Sequence, residues 1–235
     1  MTPTLTPCVG FTCDSGEGPP LALPSGDPNE PSYTPCQVPN GEPWIDTYQP
    51  VNTSLGQQRT FYACEFTDPL TAASMTLSDG TVQTLTLLNP PAGSAAVAMV
   101  RWAALPSTPT ESTILTLTEA DGGAQTLQFM VLAPAAATQH ILVVPQAAAP
   151  GAEFTAYLVN FPIGTAITVS LYSQATADSV ELVHRRDFSV VIDQPLAGSA
   201  GGWGRLMLRS SPDDPQLIYG LGVNNGALIT LFWLR

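Results

Sequence analysis

The 235-residue chain contains no lysine, only two histidines and four cysteines, and just 11% of its residues are charged. No apolar run reaches the roughly 18 residues that a helix needs to cross a bilayer. Its cations are seven arginines (Arg59, Arg101, Arg185, Arg186, Arg205, Arg209 and Arg235), set against 19 acidic residues for a net charge of −12. That field has the wrong sign for phosphate backbones and anionic lipid surfaces, which argues against nucleic-acid and membrane-surface partners. Residues 1–7 have neither a basic start nor an apolar core, so no secretory signal is read there. The expectation is a chain trimmed of its export signal or, preferably, a fragment of a longer protein. Abundant Thr, Ser, Ala, Gly and Pro with little charge is a composition common in secreted bacterial proteins.

The poverty of nucleophile–base combinations bears on catalysis. His140 opens a predicted strand, and His184 lies in His184-Arg185-Arg186-Asp187, which reads as a turn between two strands. No Gly-x-Ser-x-Gly elbow precedes a helix, and no free catalytic cysteine is evident. The carboxylate pairs Glu65 with Asp68, Glu119 with Asp121, and Asp213 with Asp214 lie in or beside predicted turns. There, acidic side chains ordinarily cap the backbone rather than act on a glycosidic bond. Gly220-Leu221-Gly222 and Ala200-Gly201-Gly202 precede no strand-to-helix unit, so they read as strand-end glycines. The expectation is a non-enzyme without cofactor or metal. Calcium is the one ion the pattern admits, at Asp14/Glu17, Asp27/Glu30 or Asp213/Asp214, although none of these matches a known calcium loop.

The cysteines are Cys8, Cys13, Cys36 and Cys64. An even number in a loop-rich segment reads as two disulfides formed in an oxidising compartment. Three pairings are open. The favoured one makes Cys8–Cys13 a local loop and Cys36–Cys64 a staple between the N-terminal segment and the first domain. Without a CxxC knuckle, a four-cysteine zinc site is disfavoured.

What the chain does contain is a repeat of itself. Pro90–Ala95 (PPAGSA) returns as Pro195–Ala200 (PLAGSA), at an offset of 105. Thr113–Val131 aligns with Gln216–Leu234 at an offset of 103, and Phe61, Tyr62 and Phe66 with Ala156, Tyr157 and Phe161 at 95. Such a period fits a duplicated small domain. The expected organisation is a Pro/Gly-rich N-terminal segment (1–56) opening on a Thr/Pro stalk, then sandwich 1 (57–134) and sandwich 2 (135–235). Trp44, Ile45 and Tyr48 are the only side chains of the first region expected to anchor it against the first domain. Val82–Leu88 and Thr113–Thr118 alternate apolar residues with Thr, the period of a half-wet sheet. Turn signals recur every 8–12 residues, and Asn225-Gly226 is the strongest hairpin dipeptide. The fold class is all-β: two antiparallel sandwiches.

Glu153–Tyr172 (EFTAYLVNFPIGTAITVSLY), followed by Asp213-Asp214-Pro215 and Leu217–Leu221 (LIYGL), resembles the immunoglobulin-like and fibronectin-III-like modules of bacterial surface and secreted proteins. The resemblance covers 139–235, and 57–134 by internal homology. It implies a rigid structural or adhesive role and carries no family active site with it. The Cys–Trp–Cys signature of antibody domains is absent, since Cys64 has no partner on a later strand. The last strand puts bulk on both faces, so Leu228, Leu231, Phe232, Trp233 and Leu234 are candidates for an interface with protein, through self-assembly or a neighbouring surface protein. Burial of Trp233 in the isolated chain removes the need for an external partner. Trp203, between Gly202 and Gly204, is the candidate for glycan stacking. The expected function is a structural or adhesive module of an exported cell-surface protein, a subunit of an assembled appendage. The alternative is a carbohydrate-binding accessory module of a secreted hydrolase.

Overall fold

Alternating side chains cover one face of a strand with apolar groups and leave the other wet, and the chain obeys this rule through most of its length. The computed structural model describes residues 11, 34–37, 41–47, 51–136 and 138–235, with the backbone of 21–22. Cys8, Cys13, Tyr48, the Thr/Pro stretch and the acidic candidates Asp14, Glu17, Asp27 and Glu30 lie outside the described residues. The first strands are β1 (Leu21–Ala22), β2 (Trp44–Thr47), β3 (Thr53–Ser54), β4 (Gln58–Cys64) and β5 (Leu70–Thr76). Next come β6 (Val82–Leu85), β7 (Leu87–Leu88), β8 (Ala98–Ala103), β9 (Ser112–Glu119) and β10 (Ala124–Leu132). Then follow β11 (His140–Val144), β12 (Ala147–Ala148), β13 (Glu153–Phe161), β14 (Ala166–Gln174) and β15 (Glu181–Val191). The last are β16 (Gln194–Pro195), β17 (Gly202–Arg209), β18 (Ile218–Val223) and β19 (Leu228–Leu234).

Two compact units result. The N-terminal unit takes Gly26–Ala136 with Leu196–Ser199, and the C-terminal unit takes Met1–Ser25, Ala137–Pro195 and Ala200–Arg235. Within the N-terminal unit the sheets are β2-β4-β8-β7 and β3-β10-β9-β5-β6. Within the C-terminal unit they are β11-β13-β17-β16 and β12-β19-β18-β14-β15, with β1 added at the β15 edge. Strand for strand the two orders are the same. In each, a two-residue strand runs parallel to the last strand: Thr53-Ser54 beside Val131-Leu132, and Ala147-Ala148 beside Trp233-Leu234.

Apolar side chains from both sheets meet in each unit. In the N-terminal unit, Phe129 of one sheet packs against Phe61 and Trp102 of the other, with ring centroids 5.5 and 5.8 Å away. The Trp102 indole donates to Gln83 Oε1 at 2.8 Å, so its polar atom is satisfied as the ring is buried. In the C-terminal unit, Phe154, Leu158, Leu171, Tyr219 and Phe232 form the buried centre. Tyr219 donates its hydroxyl to the Pro215 carbonyl at 3.0 Å. This is the tyrosine corner that pins the first strand of the final hairpin in immunoglobulin-like sandwiches. Burial pushes the Tyr219 phenol well above its ordinary pKa, with the nearby Asp214 carboxylate adding to the effect. The hairpin itself turns on Asn224, Asn225 and Gly226, all at positive φ (51°, 55° and 82°), which Asn and Gly tolerate best. Strand order, parallel accessory strands and tyrosine corner together define an all-β, immunoglobulin-like fold.

Three expectations need correction. Val82–Leu88 is not one strand: β6 and β7 belong to different sheets, with the change at Thr86. His184–Asp187 is not a turn but the middle of β15, where the register against β14 shifts in a bulge between Leu171 and Tyr172. The chain before 57 supplies strands β2 and β3 to the N-terminal unit, with Trp44 opposite Cys64 in the ladder.

The interface candidates on the last strand are also covered within their own unit. Phe232 and Leu234 join the central core. Leu231 and Trp233 are 5% and 8% exposed, packed with Tyr172, Leu182, Ala147, Ile218 and Ile229, while Leu228 is partly buried against the core. The strand is apolar on both faces: one meets the central core, and the other joins a smaller apolar cluster of side chains from the same sheet. The buried indole removes the need for an external cover.

Candidate functional site

Trp203, the candidate for ligand stacking, opens onto a cavity. It is half-buried on β17, directly opposite Gln194 of β16 in the ladder. Its ring leans on Tyr157 of β13, with centroids 5.9 Å apart and planes at 54°. A cleft of about 500 Å³ opens beside it, lined by Val191, Asp193, Gln194, Trp203 and Arg205. An aromatic face bordered by a carboxylate, an amide and a guanidinium is the chemistry that recognises hydroxyl-rich ligands.

Glycines set this geometry. A Cβ at Gly204 would overlap the Val191 carbonyl oxygen and lie 3.0 Å from Val190 Cγ1. A Cβ at Gly202 would stand 2.6 Å from the Gln194 carbonyl oxygen. The close approach of β15 and β16 beneath β17 therefore requires both glycines. Gly204→Ala is expected to destabilise the C-terminal unit by roughly 1–3 kcal/mol, the usual cost of overpacking. Urea unfolding checks it, and an unchanged midpoint would contradict the close approach.

The histidines do not form a catalytic arrangement with each other, since His140 lies on β11 and His184 on β15, in different sheets. His184 Nε2 is 2.8 Å from Asp187 Oδ1, and Ser170 donates its hydroxyl to the same oxygen at 2.7 Å. The Tyr172 ring meets the imidazole edge-on at 5.5 Å. In a hydrolase triad the imidazole stands between carboxylate and hydroxyl. Here the carboxylate stands between the other two, so the imidazole is not aimed at the serine. The bonds from His184 and then Ser170 hold the Asp187 carboxyl below the usual carboxylate range. Burial of His140 pushes its imidazole pKa down.

The paired carboxylates hold backbone. Glu65 accepts the Gly41 N–H at 2.8 Å, Glu119 the Asp68 N–H at 3.4 Å, and Asp121 the Gly123 N–H at 2.7 Å. Asp214, the buried member of the Asp213/Asp214 calcium candidate, accepts the Ser211 N–H at 2.7 Å and the Phe11 N–H at 2.9 Å through one oxygen. Cys36 and Cys64 are joined, with Cα atoms 5.5 Å apart, and Asp46 accepts the Cys36 N–H at 2.8 Å. This trio groups metal-ligating residue types, but its sulfurs are bonded to each other and offer no thiolate.

Sequence reasoning missed Phe11. Its ring enters the C-terminal core between Phe154, Tyr219 and Phe232. The only local signal is a lone aromatic residue in a stretch of Gly, Cys and Asp.

No family model and no curated protein matches the chain. Solved structures with a similar arrangement include murine CEACAM1b, at 10% identity over 83% of this chain and 99% of that one, with a TM-score of 0.27. The ectodomain of the teleost fish polymeric Ig receptor matches at 11% identity over 81% of this chain and 97% of that one, with a TM-score of 0.28. Salmonella alpha-2-macroglobulin reacted with methylamine matches at 14% identity over 82% of this chain but only 14% of its own length, with a TM-score of 0.31. At this identity and overlap the matches add nothing to the fold argument, which rests on strand order and the tyrosine corner.

Proposed function

We infer that the chain is a structural and adhesive module of an exported bacterial cell-surface protein, working as a subunit of an assembled appendage. The observation that carries this reading is how the chemically capable side chains are used. Asp187, Glu65, Glu119, Asp121 and Asp214 each hold a hydroxyl, an imidazole or a backbone N–H, so the fold is reinforced rather than armed. The Cys36–Cys64 disulfide supports an oxidising, extracellular setting. Light scattering and negative-stain microscopy of the purified full chain test it. Regular oligomers or filaments are expected at high micromolar concentration, and single copies throughout would overturn it.

The Trp203 cleft favours a second reading, carbohydrate binding. On that reading Trp203→Ala removes a stacking contribution of about 1.5 kcal/mol, or about tenfold in affinity. A glycan array probed with both proteins measures it. A ligand bound equally by both would remove Trp203 from the site, and no ligand at all would retire the reading.

A further inference from the structure

Phe11 is 2% exposed, with its ring centroid 5.9, 5.1 and 5.7 Å from those of Phe154, Tyr219 and Phe232. Its N–H donates at 2.9 Å to Asp214, which is itself 4% exposed. The seat thus has two recognition elements. Aromatic walls take one ring, and a buried carboxylate takes one backbone N–H of an extended ligand. The same N-terminal segment then adds a strand to the sheet: Leu21 pairs with Leu182 and Ala22 with Glu181, antiparallel, at the edge of β15.

The occupant of this seat comes from 203 residues away in the chain. Between Ala22 and Thr34 lie the eleven residues Leu23–Tyr33, three of them proline. A stretch of that length spans at most about 40 Å. A 100-residue sandwich has a radius of gyration of about 13 Å, so a stretch of that length can reach a neighbouring molecule. A terminal segment that fills a core seat makes the same contacts whether seat and segment belong to one chain or to two.

We propose that the Phe11 seat and the β15 edge form an exchange site, filled in assembled chains by the N-terminal segment of a second copy. The contact is heterologous, joining a segment of one copy to a seat of the next, so it propagates unless its rotation closes a ring. This deepens the assembly reading above and rests on it. In dilute solution the chain's own segment occupies the seat, because the two are covalently joined. Exchange is therefore favoured when the chain refolds at high protein concentration.

The test uses the full chain. A synthetic peptide of residues 1–25 is titrated into the Phe11→Ala chain, and the same peptide carrying Phe11→Ala is the control. The first should raise Tm in a dose-dependent way and the second should not. Should Phe11→Ala fail to fold, Phe11→Leu carries the same titration. In parallel, the unaltered chain is refolded at high and low concentration and sized by light scattering. Multiples of the single copy should form at high concentration, be absent in the Phe11→Ala chain, and be suppressed when the unaltered chain refolds with excess peptide. A Tm indifferent to millimolar peptide would overturn the proposal, as would equal assembly by the Phe11→Ala chain. Assembly that ignores Phe11 removes the exchange site but leaves the assembly reading standing. Single copies from the unaltered chain under every condition remove both.

Discussion

Replacing Phe11 with alanine is expected to destabilise the C-terminal sandwich by 3–5 kcal/mol, the range for emptying a packed aromatic site. The ring stands within 6 Å, centroid to centroid, of three other rings. Its removal loses those contacts and leaves a cavity that β-sheet backbones on either side cannot readily close. Alanine keeps the N–H that Asp214 accepts, so the substitution isolates the ring from the hydrogen bond. For a unit of about 100 residues each kcal/mol is worth roughly 4–8 °C, so a fall in Tm of about 15 °C or more is expected. Hydrogen exchange should lose protection in β13, β18 and β19, the strands that carry Phe154, Tyr219 and Phe232. A loss below about 1 kcal/mol would mean that the N-terminal segment is a passenger on this core. The ordinary range for surface substitutions is about 0.5 kcal/mol, so the two outcomes are well separated.

How far the fold is legible in the sequence depends on how far each element's partners lie. β9 and β10 are readable because Thr and apolar residues alternate through them and a Gly-rich turn separates them. The Asn225-Gly226 hairpin is readable because positive φ has few residue solutions. The sheet change at Thr86 is not, since alternation continues unbroken while the hydrogen-bonding neighbour changes from β5 to β8. The cluster His184-Arg185-Arg186-Asp187 imitates a turn because four polar residues rarely sit in a strand. In β15 they are accommodated by a bulge, by Arg186 lying 5.0 Å over the Phe188 ring, and by Asp187 bonding Ser170. Strands of two residues, such as β3, β12 and β16, have no period to detect.

The same distinction applies to the sites. Trp203 is visible from its flanking glycines, but the opposite wall of its cleft comes from Asp193 and Gln194, and the approach of Gln194 depends on the space Gly202 leaves. The bulk on both faces of Leu228–Leu234 announces two apolar environments without saying what they are: one is the central core, and the other a cluster of side chains from the same sheet. Phe11 is illegible because its partners begin 143 residues later, at Phe154, and nothing in the chain around it repeats.

Removing the Cys36–Cys64 bridge by Cys36→Ala with Cys64→Ala is expected to cost about 3.5 kcal/mol. The bridge closes a loop with a sequence separation of 28, and loop-closure entropy for that length gives this value at 25 °C in the chain-entropy model. The structure adds a second reason for a large effect. Cys64 is fully buried at the end of β4, packed with Tyr62, Ala96, Trp44 and Met99. Asp46, 6% exposed on β2, takes the N–H of Cys36. Once the bridge is gone, nothing covalent holds the Cys36 turn over that carboxylate, and the loss of this hydrogen bond to a charged group costs about 1–3 kcal/mol further if the turn departs. The loss should concentrate in the N-terminal unit, with hydrogen-exchange protection falling first in β2 and β4. Chemical denaturation of the unaltered chain with and without a strong reductant should reproduce the shift of the double substitution. A change under about 1 kcal/mol in both experiments would show that the Cys36 turn stays in place by packing alone, and the bridge would then serve resistance to unfolding in an oxidising environment less than the loop length implies.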